Sequence, residues 1–338
     1  MNTRELHSTL NAIVINDIKN ALMLWGPPGI AKSATIANVA AKHSLELIDL
    51  RISQITPSDL RGLPAADVPN KSFEYLPPSF LPRADRPKGI LFLDEITQAP
   101  PAVQAITQQL ILDRRVGSLV IPDGWFIWAA GNRQSDKTAV YSMPSALANR
   151  FVHFDIAPDF ETWKLDYALE HVHADIISFL SMRPELLHKM LDTPAWPSPR
   201  SWTIANNFYK VGLDISGAVG ASTAAEFKAF LATYKNLPDL DKIFAGKGSK
   251  IEWPVEESAQ YATTIGIQQR CITADADSLY NALEWMAEKS KPEYGIRLLH
   301  ELIRMGERVP NMYKVLSQLN KGKVLEFVKK AQRLSQYA

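Results

Sequence analysis

Over its first 160 residues the chain alternates short apolar runs with stretches of helical spacing. Ala21-Leu22-Met23-Leu24-Trp25 is continuously apolar, the pattern of a strand buried on both faces. Ser33 to Lys42 is alanine-rich with helical apolar spacing, and Glu46 to Ile52 alternates polar and apolar as a second strand would. Two more apolar runs, Gly89 to Leu93 and Trp125 to Ala130, read as buried strands, and Val152-His153-Phe154 as a last one. Residues 6–20 predict a short leading helix. Pro100-Pro101 starts another, with proline in the first turn where its missing N–H costs nothing, and it runs to about Arg114. Val116 to Ile121 reads as a small hairpin arm. Ile55 to Phe80, rich in Pro, Gly, Asp and Ser, predicts a long irregular insertion.

The pattern changes at Phe160. Helical spacing recurs at 161–172, 174–181, 200–211 and 223–234, separated by turn signals at Pro194–Pro199 and Gly217–Gly220. Asn236–Leu240 and Gly246–Lys250 read as boundaries. Beyond them, segments near 255–268, 275–289, 292–307, 310–319 and 321–336 predict a further helical bundle. The expected organisation is therefore an α/β core over residues 1–159 with its insert at 55–80 and hairpin at 116–122. A helical lid over 160–236 and a C-terminal helical region over 237–338 follow it.

Composition narrows the function classes. A hydrophobic fraction of 46% with 22% charged residues is that of a soluble globular protein. The N-terminus has no apolar core of the signal-peptide kind, and no apolar run approaches bilayer length. One cysteine, Cys271, excludes an internal disulfide framework and fits a reducing cytoplasm. Lys and Arg total 37 against 36 Asp and Glu, with 15 of each before residue 161. Neither half has the basic excess that binding a nucleic-acid backbone usually demands. His171 and His173 are two apart, on different helix faces, which disfavours a metal site. The eight tryptophans read as packing residues.

Candidate chemistry gathers around Gly26-Pro27-Pro28-Gly29-Ile30-Ala31-Lys32-Ser33, set between a strand and a helix. Such a loop points backbone N–H groups and the positive end of a helix dipole at one spot, which suits a polyphosphate. Lys32 would reach the β- and γ-phosphates, and the Ser33 hydroxyl would ligate Mg²⁺. The strict pattern has glycine immediately before the lysine; here it is Ala31. Alanine disfavours a positive φ, so Ala31 is expected already to be in the first helical turn. On the loop alone, an ordinary Gly/Pro turn remains an alternative. The run ending in Asp94-Glu95 delivers two acids at a strand's C-terminal end, where parallel α/β sheets bind ligands. Asp94 would hold Mg²⁺ through its water shell, and Glu95 would orient and deprotonate an attacking water. Asn132, after Gly131, emerges at the same sheet edge and reads either as a turn residue or as a positioner of that water or of the γ-phosphate. Arg150, before the last strand, serves either the surface or a neighbouring subunit's nucleotide. Arg200 opens a helix where the dipole disfavours it, and reads either as a residue with a function there or as a neutral surface arginine.

In order, these stretches resemble the MoxR-like branch of the AAA+ ATPases: GPPGIAKS at 26–33, SDLRGLP at 58–64, LFLDEITQAPPAVQ at 91–104, AAGN at 129–132, MPSALANRF at 143–151 and WPSPRSW at 196–202. The resemblance implies Walker A roles for Lys32 and Ser33 and Walker B roles for Asp94 and Glu95. It further implies sensor 1 at Asn132, an arginine finger at Arg150 and sensor 2 at Arg200. It implies ATP and Mg²⁺ as cofactors and a homo-oligomeric ring, commonly a hexamer, because the finger acts on the neighbour's ATP. It also implies a protein client, commonly engaged with a partner carrying a von Willebrand factor A-type domain. The expected function is remodelling or maturation of a partner protein. The alternatives are a nucleotide-gated scaffold with little turnover and a nucleic-acid motor.

Overall fold

In the computed structural model, residues 1–86, 88–136, 140–233, 237–305 and Val309 are described. The chain divides into two compact units, Met1–Asp159 and Phe160–Ala338. Unit 1 opens with helix α1 (Thr3–Ile15), strand β1 (Leu22–Trp25), α2 (Lys32–Lys42) and β2 (Glu46–Arg51). The helix expected over 6–20 thus begins and ends earlier. Asn2 and Glu5 close a reciprocal capping box at its start, and Asp17 turns the chain at φ 51° beyond its end.

The stretch 55–80, expected to be irregular, contains ordered secondary structure. Pro57 sits in the first turn of α3 (Pro57–Arg61), capped by Thr56 and Asp59. An antiparallel hairpin follows, β3 (Leu63–Asp67) and β4 (Ser72–Leu76), turned by Asp67, whose carboxylate accepts from the Asn70 side chain at 2.7 Å. Leu63, Phe73 and Leu76 are exposed. The hairpin buries little, so it shows no clean hydrophobic alternation.

The remaining elements of unit 1 are β5 (Gly89–Asp94), α4 (Pro101–Asp113), the arm β6 (Arg115–Val116) and β7 (Leu119–Val120), β8 (Trp125–Gly131), α5 (Ser145–Ala148) and β9 (Val152–Asp155). Five strands form one parallel sheet in the order β2-β5-β8-β1-β9. Both faces are covered, which explains the unbroken apolar runs. Leu22, Leu24, Ile90, Phe92, Phe126 and Trp128 share one cluster with Ile36 and Val39 of α2. Met23, Leu91, Leu93, Trp125 and Ile127 share the other with Val103, Ile106 and Leu110 of α4. A strand's alternate residues thus supply two cores.

Unit 2 is helical. Its first helix is not the single element expected over 161–172. α6 (Phe160–Trp163) passes through a π-helical turn at Lys164–Ala168 into α7 (Leu169–His171). α8 (Ala174–Met182), α9 (Pro199–Lys210), α10 (Ser216–Val219), α11 (Ala221–Thr233), α12 (Leu240–Phe244), α13 (Glu257–Cys271), α14 (Ala276–Lys289) and α15 (Pro292–Met305) follow. One apolar core runs through them, from Phe179, Trp202 and Phe227 to Leu283, Leu298 and Leu302. The helices expected at 310–319 and 321–336 lie outside the described residues. Among the described residues, no helix is long and apolar enough to cross a membrane.

A buried ion pair ties the π turn to α15, the last helix among the described residues. Lys164 of the π turn donates to Glu301 of α15 at 2.7 Å, with the side chains only 1% and 4% exposed. Arg297 bridges Glu301 at 3.0 Å and Glu161 at 2.6 Å. Burial pushes the Glu301 carboxyl up, but Lys164 and Arg297 outweigh it and hold the group below the usual carboxylate range. That contribution to stability is present above the ordinary carboxylate range and is lost as the pH falls through it to the lowered value. Glu301→Ala leaves the buried Lys164 ammonium with only the Glu161 carboxylate at 3.9 Å and is expected to cost about 3 kcal/mol. The pair Lys164→Met with Glu301→Leu should recover most of that loss in urea unfolding, and no recovery would show that packing, not charge, sets the cost.

Candidate functional site

The loop after β1 is shaped by close backbone approaches. Gly26 donates to the Gly131 carbonyl at 3.3 Å, and a Cβ there would stand 2.7 Å from the Ile156 carbonyl oxygen. Gly29 has φ 81°. Ala31 has φ 69° and ψ 27°, so it occupies the left-handed region as the N-cap and is not in the first helical turn as expected. Its backbone adopts what glycine would adopt there, at a cost of roughly 1–2 kcal/mol. Its carbonyl holds α2 in place, accepting from the Thr35 amide and the Thr35 hydroxyl, both at 3.0 Å. Its side chain offers no acceptor to the first-turn N–H groups, whereas Asn2, Thr56 and Ser198 cap theirs.

Lys32 and Ser33 are the first two residues of α2. The Lys32 ammonium curls back over the loop and donates to the carbonyls of Gly26 at 2.6 Å and Pro27 at 3.0 Å. It also donates to Oδ1 of Asn132 at 3.3 Å. The Ser33 hydroxyl donates to Oδ2 of Asp94 at 2.9 Å, and the other oxygen of Asp94 accepts from the Glu95 amide at 2.9 Å. Glu95 itself is left-handed at φ 57°, which turns the chain sharply off the end of β5. Asn132 leaves the end of β8, where its amide donates to the Thr97 hydroxyl at 3.1 Å. Gly131 is needed just before it, because a Cβ would lie 2.7 Å from Thr97.

Gly26 to Ser33, Asp94, Glu95 and Asn132 therefore converge at the carboxyl ends of β1, β5 and β8. Arg150 does not join them: beyond α5, its guanidinium Nη1 donates to the Ala146 carbonyl, and its buried Nε has no partner among the described residues. Arg200 stands exposed in the first turn of α9 in unit 2, after the Ser198 cap and Pro199. One residue escapes a reading of the sequence. The Ser53 hydroxyl, beyond β2, donates to Oε2 of Glu95. Nothing in its local sequence marks it; only the pairing of β2 with β5 brings it there.

The donor set fits a magnesium-bound polyphosphate. Uncapped N–H groups and the Lys32 ammonium suit phosphate oxygens, and a hydroxyl beside a carboxylate is a hard oxygen pair of the kind Mg²⁺ takes. The negative field is felt next door, where partial desolvation and then Asp94 push the Asp49 carboxyl above its ordinary value.

Residues 21–151 match the AAA domain (dynein-related subfamily). A midasin from Giardia intestinalis is 25% identical over 168 residues, 47% of this chain. The chain matches only 3% of that protein's length. Among solved structures, NtrX from Brucella abortus in complex with ADP is 15% identical, covering 90% of this chain and 68% of that one, with a TM-score of 0.42. The RuvB Holliday junction branch migration motor of Thermotoga maritima is 16% identical over 85% of this chain and 86% of that one, with a TM-score of 0.36. The structural likenesses are too distant to speak of activity. The parallel sheet between helical layers, followed by a helical region, is the AAA+ α/β fold.

Ala31→Gly is expected to remove the left-handed strain and raise stability by up to about 1 kcal/mol, net of glycine's entropy. Ala31→Val should lower it, since a β-branched residue fits that region worst. Thermal unfolding without nucleotide compares the two, and a destabilised glycine variant would contradict the strain.

Proposed function

We propose that the AAA domain works as a Mg²⁺-dependent ATPase of the MoxR-like kind, in a cytoplasmic homo-oligomeric ring, commonly a hexamer, that remodels or matures a client protein. The observation that carries this reading is the 2.9 Å bond from Ser33 to Asp94, which joins the residue after the loop lysine to the acid ending β5. Mg²⁺-ATP, when bound, supplies the phosphoryl group. Lys32 and the N–H groups of the loop hold its phosphates, and Ser33 and Asp94 hold the metal. Glu95 takes the proton of the attacking water, and the Asn132 amide orients that water or the γ-phosphate. Arg150 is offered to the next subunit's nucleotide, where an arginine in trans contributes about 10³–10⁵ in rate in related systems. Arg200 serves the γ-phosphate from the helical lid. A client engaged through a partner with a von Willebrand factor A-type domain completes the proposal.

The Ser53–Glu95 bond favours a second reading, a nucleotide-gated scaffold. A base whose carboxylate is already engaged turns over little until Ser53 releases it.

Phosphate release measured across protein concentrations separates the two. Turnover that rises with assembly and vanishes on magnesium chelation supports the ring ATPase; zero turnover at every concentration supports the scaffold. Glu95→Gln is expected to bind ATP normally and hydrolyse none, so wild-type hydrolysis by that variant would remove Glu95 as the base. Stimulation by DNA or RNA in moderate salt would point instead to a nucleic-acid motor.

A further inference from the structure

Trp25 is the last residue of β1, directly before Gly26. Its backbone is fixed on both sides, paired with Gly131 in β8 and Asp155 in β9. Its indole N–H donates to Nδ1 of His153 at 2.8 Å, with the two rings stacked 6.0 Å apart at 16°. The opposite imidazole nitrogen, Nε2, lies 2.8 Å from the carbonyl of Ala148, the last residue of α5. An indole only donates and a carbonyl only accepts. The two partners therefore select one neutral tautomer, with the proton on Nε2. Stacking alone would need neither bond.

The far end of this chain of bonds is Arg150. Its amide donates to the Leu147 carbonyl at 3.1 Å, and its guanidinium to that of Ala146. The last carbonyls of a four-residue helix thus hold the His153 ring and the Arg150 side chain together. The buried, unpartnered Nε makes this resting place of the guanidinium a costly one, easily left for a better acceptor.

We propose that Trp25 and His153 are positioning residues that couple the loop 26–33 to Arg150, so that a subunit's own nucleotide sets how it presents its arginine to the neighbour. The proposal rests on the trans role of Arg150 given above. A shift of the loop is felt first at Trp25, passes through the imidazole to α5, and reaches Arg150 two residues later. His153 is exposed and Trp25 is only partly buried, so neither bond is needed to fill a core.

Trp25→Phe and His153→Phe keep an aromatic ring and remove the bonds; His153→Gln keeps one donor and one acceptor. ATP affinity and thermal stability should stay at wild-type values in all three. Hydrolysis at ring-forming concentration should fall about 10²-fold in the two phenylalanine variants, as for a misplacement of roughly 1 Å, and return in large part with glutamine. Mixing locates the defect. His153→Phe subunits with an intact Glu95 should regain activity when mixed with Glu95→Gln subunits, which lend an undisturbed Arg150. The mixture should exceed the sum of the two alone. No gain on mixing, or wild-type hydrolysis by both phenylalanine variants, would overturn the coupling. Arg150→Ala mixed with Glu95→Gln is the parallel experiment: failure to complement there sinks the trans arginine itself, whereas success there with failure at His153 sinks only the coupling.

Discussion

The hydroxyl of Ser33 reaches the carboxylate of Asp94 across strands that are not neighbours, since β8 lies between β1 and β5. It can do so because α2 leaves β1 and crosses to β2 at the far edge of the sheet, packing Ile36 and Val39 over Phe92 and Trp128 on the way. The first turn of that helix must therefore lie over the ends of the central strands. The ammonium of Lys32 binds the loop and the end of β8, the hydroxyl of Ser33 binds the end of β5, and the carbonyl of Ala31 anchors the helix turn that carries both. The site is a product of strand order, with the loop as one contributor.

Much of this is legible in the sequence. The apolar runs of β1, β5 and β8 announce double-sided burial, and the acids and amide at their ends declare themselves by position. What escapes depends on distance in sequence. Ser53 meets Glu95 42 residues away, and Trp25 meets His153 128 residues away. Neither pair has a local signature. The hairpin of residues 63–76 departs from expectation for another reason. Its strands are short and exposed, so composition near Asp67, Pro69 and Asn70 outweighs any periodicity. At Ala31 a general preference is overridden in place: the loop's other constraints outweigh alanine's aversion to a positive φ.

Unit 2 shows the limit of helical spacing as a guide. Its longer helices, α8, α9, α11, α13, α14 and α15, are all visible in the pattern. The short α10 and α12 are not, because one turn of helix carries too few positions to show a period. The π turn is hidden too, since its wider turn alters spacing by less than the ordinary scatter. Nor does a charge pattern foretell that a lysine is fully buried. Lys164 reads as a surface residue until Glu301, 137 positions on, supplies its counter-charge.

The place of β1 in the sheet has a consequence for how the chain is made. It is the first strand of the sheet to leave the ribosome, yet it lies between β8 and β9, the last two. Until residue 155 is available, a fully apolar strand waits with an edge unpaired, while β2 and β5 can already zip together beside it. Non-local pairing of this kind slows folding and leaves strand edges open to other chains. The segment from Ala21 to Trp25 thus waits longest of the five strands for its neighbours, and it is enclosed from both sides only when β9 has been made.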